Sequence, residues 1–245
     1  MTLKSLKKIP NPVLKDKIKV IGFDADDTLW VNEPYYREVE ASFIQLIEPY
    51  DVEKDIAVEV FSTEMSNLSI YGYGIKSFIL SLVQCALEIT GGRVTSKTIG
   101  EILQLGKDML ARPIELLMDV KPLLEQLSGN YKLIVATKGD LLDQEKKMRK
   151  SSISPFFHHI EVMSDKKEQN YIQLLQHLEI DPCEFVMIGN SMKSDIIPPL
   201  NLGSYAIHIP YHTTWAHEEV EEDPVNNRFH RVQRLTEVAE ILALL

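Results

Sequence analysis

Apolar side chains cluster in five short runs that alternate little with polar ones, at positions 18–23, 132–137, 160–163, 185–188 and 205–209. A strand with one wet face alternates strictly, so near-continuous runs of this length predict strands covered on both faces, as in a parallel sheet between helices. Segments with helical spacing of apolar residues separate the later runs, at 120–127, 141–150, 170–178 and 195–202. Repeated strand–helix units of this kind predict a doubly wound α/β core.

The interval between the first two runs breaks that rhythm. It holds no strand pattern, but helical stretches occur at 38–48, 75–89 and 97–111. A crossover needs only about a dozen residues, so the interval is too long to be one helix joining neighbouring strands. We expect a helical cap domain over 32–118, inserted into a core formed by 1–31 and 119–245. Ligands of open α/β sheets bind beyond the carboxyl ends of the strands, so an insertion leaving the first strand there overlies the site.

Charge narrows the partners. With 26 basic and 36 acidic side chains among 245 residues, the formal net charge of -10 repels nucleic-acid phosphates and anionic membrane surfaces. The same field repels a phosphorylated substrate, so a site for one must carry its own cations. The 2 cysteines, Cys85 and Cys183, have no metal-ligand spacing and suggest no disulfide framework, which points to a reducing cytoplasm. The run 1–19 contains six lysines and no apolar leader segment, so the expectation is an unprocessed soluble protein.

Candidate chemistry begins where the first strand ends. Asp24 and Asp26 are two apart on extended chain, so both side chains point the same way. Paired carboxylates repel, and favour either a shared proton or a divalent cation. Taken alone, an acidic loop after a strand serves equally well as a turn or helix cap.

The stretch 23–30, FDADDTLW, resembles the first motif of the haloacid dehalogenase-like hydrolase superfamily, a strand followed by DxDxT and an apolar residue. The resemblance implies that Asp24 is a nucleophile forming an aspartyl-phosphate. Asp26 would protonate the leaving oxygen and then activate water, its backbone carbonyl facing magnesium. KLIVATKGD, 132–140, places Thr137 where the superfamily has its phosphoryl-binding Thr or Ser, and SDKKEQNY, 164–171, offers its lysine. Lys166 fits better than Lys167, since Tyr171 and Ile172 then stand at the family's spacing from it. FVMIGNSMKSDI, 185–196, resembles the pattern GDxxxxD, with Asp195 as the second acid and Asn190 replacing the first. Asp24, Asp26, Asp195 and Asn190 would thus hold Mg2+, bound more weakly than with an acid at 190.

Asp26 also favours phosphomonoester hydrolysis over dehalogenation, which needs no acid at that place. A phosphomutase needs it too and remains the alternative. A non-catalytic phosphate-binding protein would be marked by loss of Asp24, Asp26 or Lys166, and none is lost. The expected substrate is a small phosphorylated metabolite: a sugar phosphate, a phosphoglycolate-like acid or a nucleotide. Lys138, Lys76 and Tyr73 are candidates to touch it, and Trp215 is a candidate wall. His208, His212 and His217 match no zinc spacing. His158 and His159, as neighbours beside a strand, should face opposite sides. The acidic cluster 217–223 is expected to be solvated.

Overall fold

The computed structural model describes residues 18–218, 220 and 222–245. Most of the lysine-rich run, and Glu219 and Glu221 of the acidic cluster, lie outside these residues.

Six parallel strands form one sheet: β1 (Val20–Phe23), β2 (Lys132–Lys138), β3 (His159–Met163), β4 (Phe185–Gly189), β5 (Tyr205–His208) and β6 (Phe229–Arg231), in the order β3-β2-β1-β4-β5-β6. Alternate residues feed two cores, as a doubly wound sheet requires. Ile21, Phe23, Val135 and Ile188 pack on one face against α5 (Val120–Leu127) and α9 (Val238–Leu244). Val20, Ile134 and Met187 pack on the other against Tyr171 and Leu175 of α7 (Glu168–Leu178).

Two strand expectations change. β3 is half exposed along most of its length because it is an edge strand with a neighbour on one side only. β6, the opposite edge, is just three residues, FHR, too short and too polar to show as an apolar run.

Between β1 and β2 lies a helical insert of α1 (Glu33–Ile47), α2 (Ile56–Tyr71), α3 (Ile75–Ile89) and α4 (Ser96–Ala111). Its own core gathers Phe43, Ile47, Leu82, Cys85 and Ile102. The chain enters and leaves side by side: Val31 N–H donates to Glu115 O at 2.9 Å and Leu117 N–H to Leu29 O at 3.0 Å. α2 was not expected, and the reason is visible. It buries Thr63 and Asn67 while exposing Val58, Phe61 and Ile70, so its polarity pattern does not follow its burial. A helix start is nonetheless encoded, since the Asp55 carboxylate accepts from Ala57 N–H and Val58 N–H.

The helix expected over 195–202 divides into a π-helical turn, Met192–Ile196, followed by α8 (Ile197–Asn201). Pro198 has no N–H to give the carbonyl four residues back, that of Ser194. The Tyr171 hydroxyl donates to that carbonyl instead, at 2.9 Å. Among the described residues, no helix is long and apolar enough to cross a membrane.

Candidate active site

β1 lies between β2 and β4, where the strand order reverses, and the crevice beyond its carboxyl end is the natural ligand site of this topology. Asp24 is the first residue past β1, and its N–H still donates to Ile188 O at 2.8 Å, which keeps it extended. The chain then turns sharply. Asp27 adopts a left-handed φ of 61°, and its carboxylate accepts from Asn32 N–H and Glu33 N–H, both at 2.9 Å, at the start of α1. One acidic residue thus fixes both the loop and the entry to the insert.

Lys166, from the loop before α7, is 2% exposed. Its Nζ lies 2.5 Å from Asp24 Oδ1 and 2.6 Å from Asp195 Oδ1. Burial pushes the Asp24 carboxyl up to about 7, with the Lys166 ammonium pulling the other way and Asp195 adding repulsion. Burial would lower the Lys166 ammonium, but Asp195 and Asp24 together hold it above the ordinary lysine range. Asp195 can reach this position because residue 189 is glycine: a Cβ there would lie 2.3 Å from the Asp195 carboxyl carbon. Ser191 N–H holds the other Asp195 oxygen at 3.0 Å.

Asp26 has a different environment. Its carboxylate accepts from Trp30 Nε1 at 2.7 Å, Gln144 Nε2 at 2.8 Å and Lys147 Nζ at 2.9 Å. Burial opposes ionisation, but the Lys147 charge and these three donors outweigh it and hold the carboxyl below the usual range. Gln144 and Lys147 come from α6 (Leu141–Lys150) and escaped the sequence reading. The available signal was Asp140, Gln144 and Lys147, a polar stripe at spacings of four and three on one face of a core helix.

A family model described as haloacid dehalogenase-like hydrolase matches residues 18–203. The chain belongs to this family. A haloacid dehalogenase-like family hydrolase from Xanthomonas campestris superposes with a TM-score of 0.82 at 34% identity, over 92% of this chain and 91% of that one. Two curated relatives carry more specific names. Human N-acylneuraminate-9-phosphatase is 24% identical over 198 residues, 76% of this chain and 80% of the relative. Glyceraldehyde 3-phosphate phosphatase of Methanopyrus kandleri is 24% identical over 201 residues, 78% and 84% respectively.

Other residues of this haloacid dehalogenase-like hydrolase gather around the same crevice. A cavity of about 180 Å³ is lined by Asp24, Asp26, Thr137, Lys166, Asn190 and Asp195, among others. Thr137 is 1% exposed near the end of β2. Asn190 Oδ1 accepts from the Thr28 hydroxyl at 3.2 Å, and the Asn190 carbonyl lies 2.9 Å from His208 Nε2. Tyr73 and Trp215 also line the cavity, their rings edge-on with centroids 6.3 Å apart. Tyr73 reaches Asp165 at 3.3 Å, and Lys138 Nζ sits 4.2 Å from the Tyr73 ring centroid.

Three expectations need correction. Lys76 does not line the cavity; it turns outward to Asp140, at 2.8 Å, because that carboxylate caps the start of α6 beside it. Glu218, expected to be part of a solvated face, is 9% exposed and pairs with Lys138 Nζ at 2.5 Å. It also accepts from the hydroxyls of Ser191 and Ser194. Burial alone would raise its carboxyl; Lys138 and the two hydroxyls bring it down to about 2. His158 and His159 do not face apart: their Nδ1 atoms are 3.0 Å from each other, since His158 precedes β3 and strand alternation does not govern it.

Proposed function

We propose that this hydrolase removes phosphate from a small phosphomonoester through an aspartyl-phosphate on Asp24. The observation that carries the reading is that one cavity holds two carboxyls in contrasting environments. Asp24 is clamped by Lys166, and Asp26 is held by Trp30, Gln144 and Lys147. Nucleophilic transfer needs such a division between a group that attacks and a group that moves protons.

In the first step an Asp24 oxygen bonds to phosphorus, the ester P–O bond breaks, and the leaving oxygen takes its proton from Asp26. The negative charge of the bound ester beside Asp26 offsets the Lys147 field and favours the proton-bearing form this step requires. In the second step Asp26 takes a proton from water, the water oxygen bonds to phosphorus, and the bond to Asp24 breaks to release phosphate. Lys166 balances charge in both, and Thr137 with the N–H groups after it would hold the phosphoryl oxygens.

The donor set suits Mg2+. Asp24, Asp195, Asn190 and the Asp26 carbonyl are hard oxygen ligands, and Gly189 opens the space that Asp195 occupies. Bound there, the ion would neutralise phosphoryl charge. The helical insert is the cap that covers the cavity, supplying Tyr73 as a substrate contact, with Lys138 beside it from the core.

Phosphate release from a panel of phosphomonoesters, with and without Mg2+, tests the reading. Asp24→Asn and Asp26→Asn should each lower kcat by at least ~10²-fold. Turnover that survives either substitution, or that ignores Mg2+, would count against it.

A further inference from the structure

Away from the reacting end, the cavity is walled by the insert, which brings more carboxyl groups than cations to it. The cation on this wall is Arg37 of α1, and it is already engaged: its guanidinium lies 3.0 Å from Glu33 Oε1 and 3.1 Å from Glu40 Oε2. Glu64 lines the cavity from α2, and among the described residues it has neither an ion pair nor a hydrogen bond. Every other carboxylate lining the cavity has a partner; Asp143, for example, lies 3.7 Å from Lys147.

Asn67, one turn further along α2, is 5% exposed and also lines the cavity. Both protons of its amide are committed, Nδ2 donating to Ser81 Oγ at 3.1 Å and Gln84 Oε1 at 2.9 Å. What remains to a ligand is Oδ1, an acceptor without a donor.

Three carboxyl groups, Glu33, Glu40 and Glu64, thus face one guanidinium on this wall, and Glu64 is the one left without a partner. Burial pushes the Glu33 carboxyl up to about 7 and that of Glu64 to about 8, the latter with added repulsion from Glu40 and Glu33. A cation beside Glu64 offsets that burial and repulsion and draws the carboxyl into its charged form, while donors on the same ligand satisfy Asn67 Oδ1. An ammonium has three donors and no acceptor. Tyr36 and Phe78, with ring centroids 5.0 Å apart, add aromatic surface of the kind that receives cations. A carboxylate on the leaving group would find the guanidinium of this wall already paired.

Resting on the phosphomonoesterase reading above, we propose that this wall is a subsite for a protonated amine. The substrate is then the phosphate ester of an amino alcohol or amino sugar, and sugar-acid phosphates are disfavoured.

Matched esters test the charge alone. Glucosamine 6-phosphate against glucose 6-phosphate, and ethanolamine phosphate against 2-hydroxyethyl phosphate, distinguish the sugar from the small alcohol, with 6-phosphogluconate as the acidic probe. In the presence of Mg2+, the amine of the preferred pair should show at least ~10-fold higher kcat/KM than its neutral counterpart, and 6-phosphogluconate should be poorest. In Glu64→Gln that ratio should fall towards one. Equal rates within both pairs, a preference for 6-phosphogluconate, or a ratio unmoved in Glu64→Gln would overturn the subsite while leaving the phosphatase reading intact. Should no ester be turned over, the phosphatase reading fails separately. Calorimetry of the same pairs with Asp24→Asn then decides the subsite: ~10-fold tighter binding of the amine supports it, and equal affinity overturns it.

Discussion

At the scale of single residues, the site depends on what is absent as much as on what is present. Gly189 leaves the space in which the Asp195 carboxyl sits, and any side chain there would collide with it. Gly189→Ala is expected to displace Asp195, lower Mg2+-dependent turnover by more than tenfold, and cost about 1–3 kcal/mol of stability. Paired Mg2+ titrations and urea melts of the two proteins would measure both effects. Glu218 gives a prediction about acid. Its folded carboxyl ionises at about 2, against an ordinary value of 4.5, because Lys138 and two serine hydroxyls favour the charged form. A depressed carboxyl stabilises the fold fully above pH 4.5 and loses that contribution as pH falls towards 2. The contribution is on the order of 3 kcal/mol at neutral pH. Acid unfolding of Glu218→Gln should therefore differ most from wild type above pH 4.5 and converge with it near pH 2; a constant difference would refute the linkage.

At the scale of elements, one carbonyl of the π-helical turn that carries Asp195 depends on a hydroxyl from another helix. Tyr171 of α7 gives Ser194 the hydrogen bond that Pro198 cannot. Tyr171→Phe leaves that buried carbonyl unpaired, which should cost about 1–3 kcal/mol in a denaturant melt and reduce Mg2+ affinity with it. The two consecutive prolines were plain in the chain, but not what would answer them. The same limit separates the legible parts of the molecule from the rest. β1, β2 and β4 could be read because central parallel strands must be apolar on both faces, and the acidic and lysine motifs could be placed because they follow strand ends. β6 and α2 could not, the first because a three-residue edge strand needs no apolar run, the second because Thr63 and Asn67 are buried for their hydrogen bonds. Gln144, Lys147 and Glu218 reach the site from α6 and a late loop, and their partners lie 118, 121 and 80 positions away, a pairing no local pattern encodes.

At the scale of the whole molecule, the proposed chemistry and the proposed selectivity draw on different parts of the chain. The groups proposed to act on phosphorus stand at strand ends of the sheet, whereas Arg37, Glu64 and Asn67 belong to the insert. Around the reacting end Lys138, Lys147 and Lys166 are each paired with carboxylates, so the lysines balance local acids and the further cation that a phosphate needs is the part proposed for Mg2+. The passages into and out of the insert lie against each other, tied by main-chain hydrogen bonds between 29 and 31 on one side and 115 and 117 on the other. An insertion whose two ends meet makes little demand on its host. Such a graft point lets a lineage trade one substrate for another by replacing the stretch between, while the inherited reaction carries on beneath it.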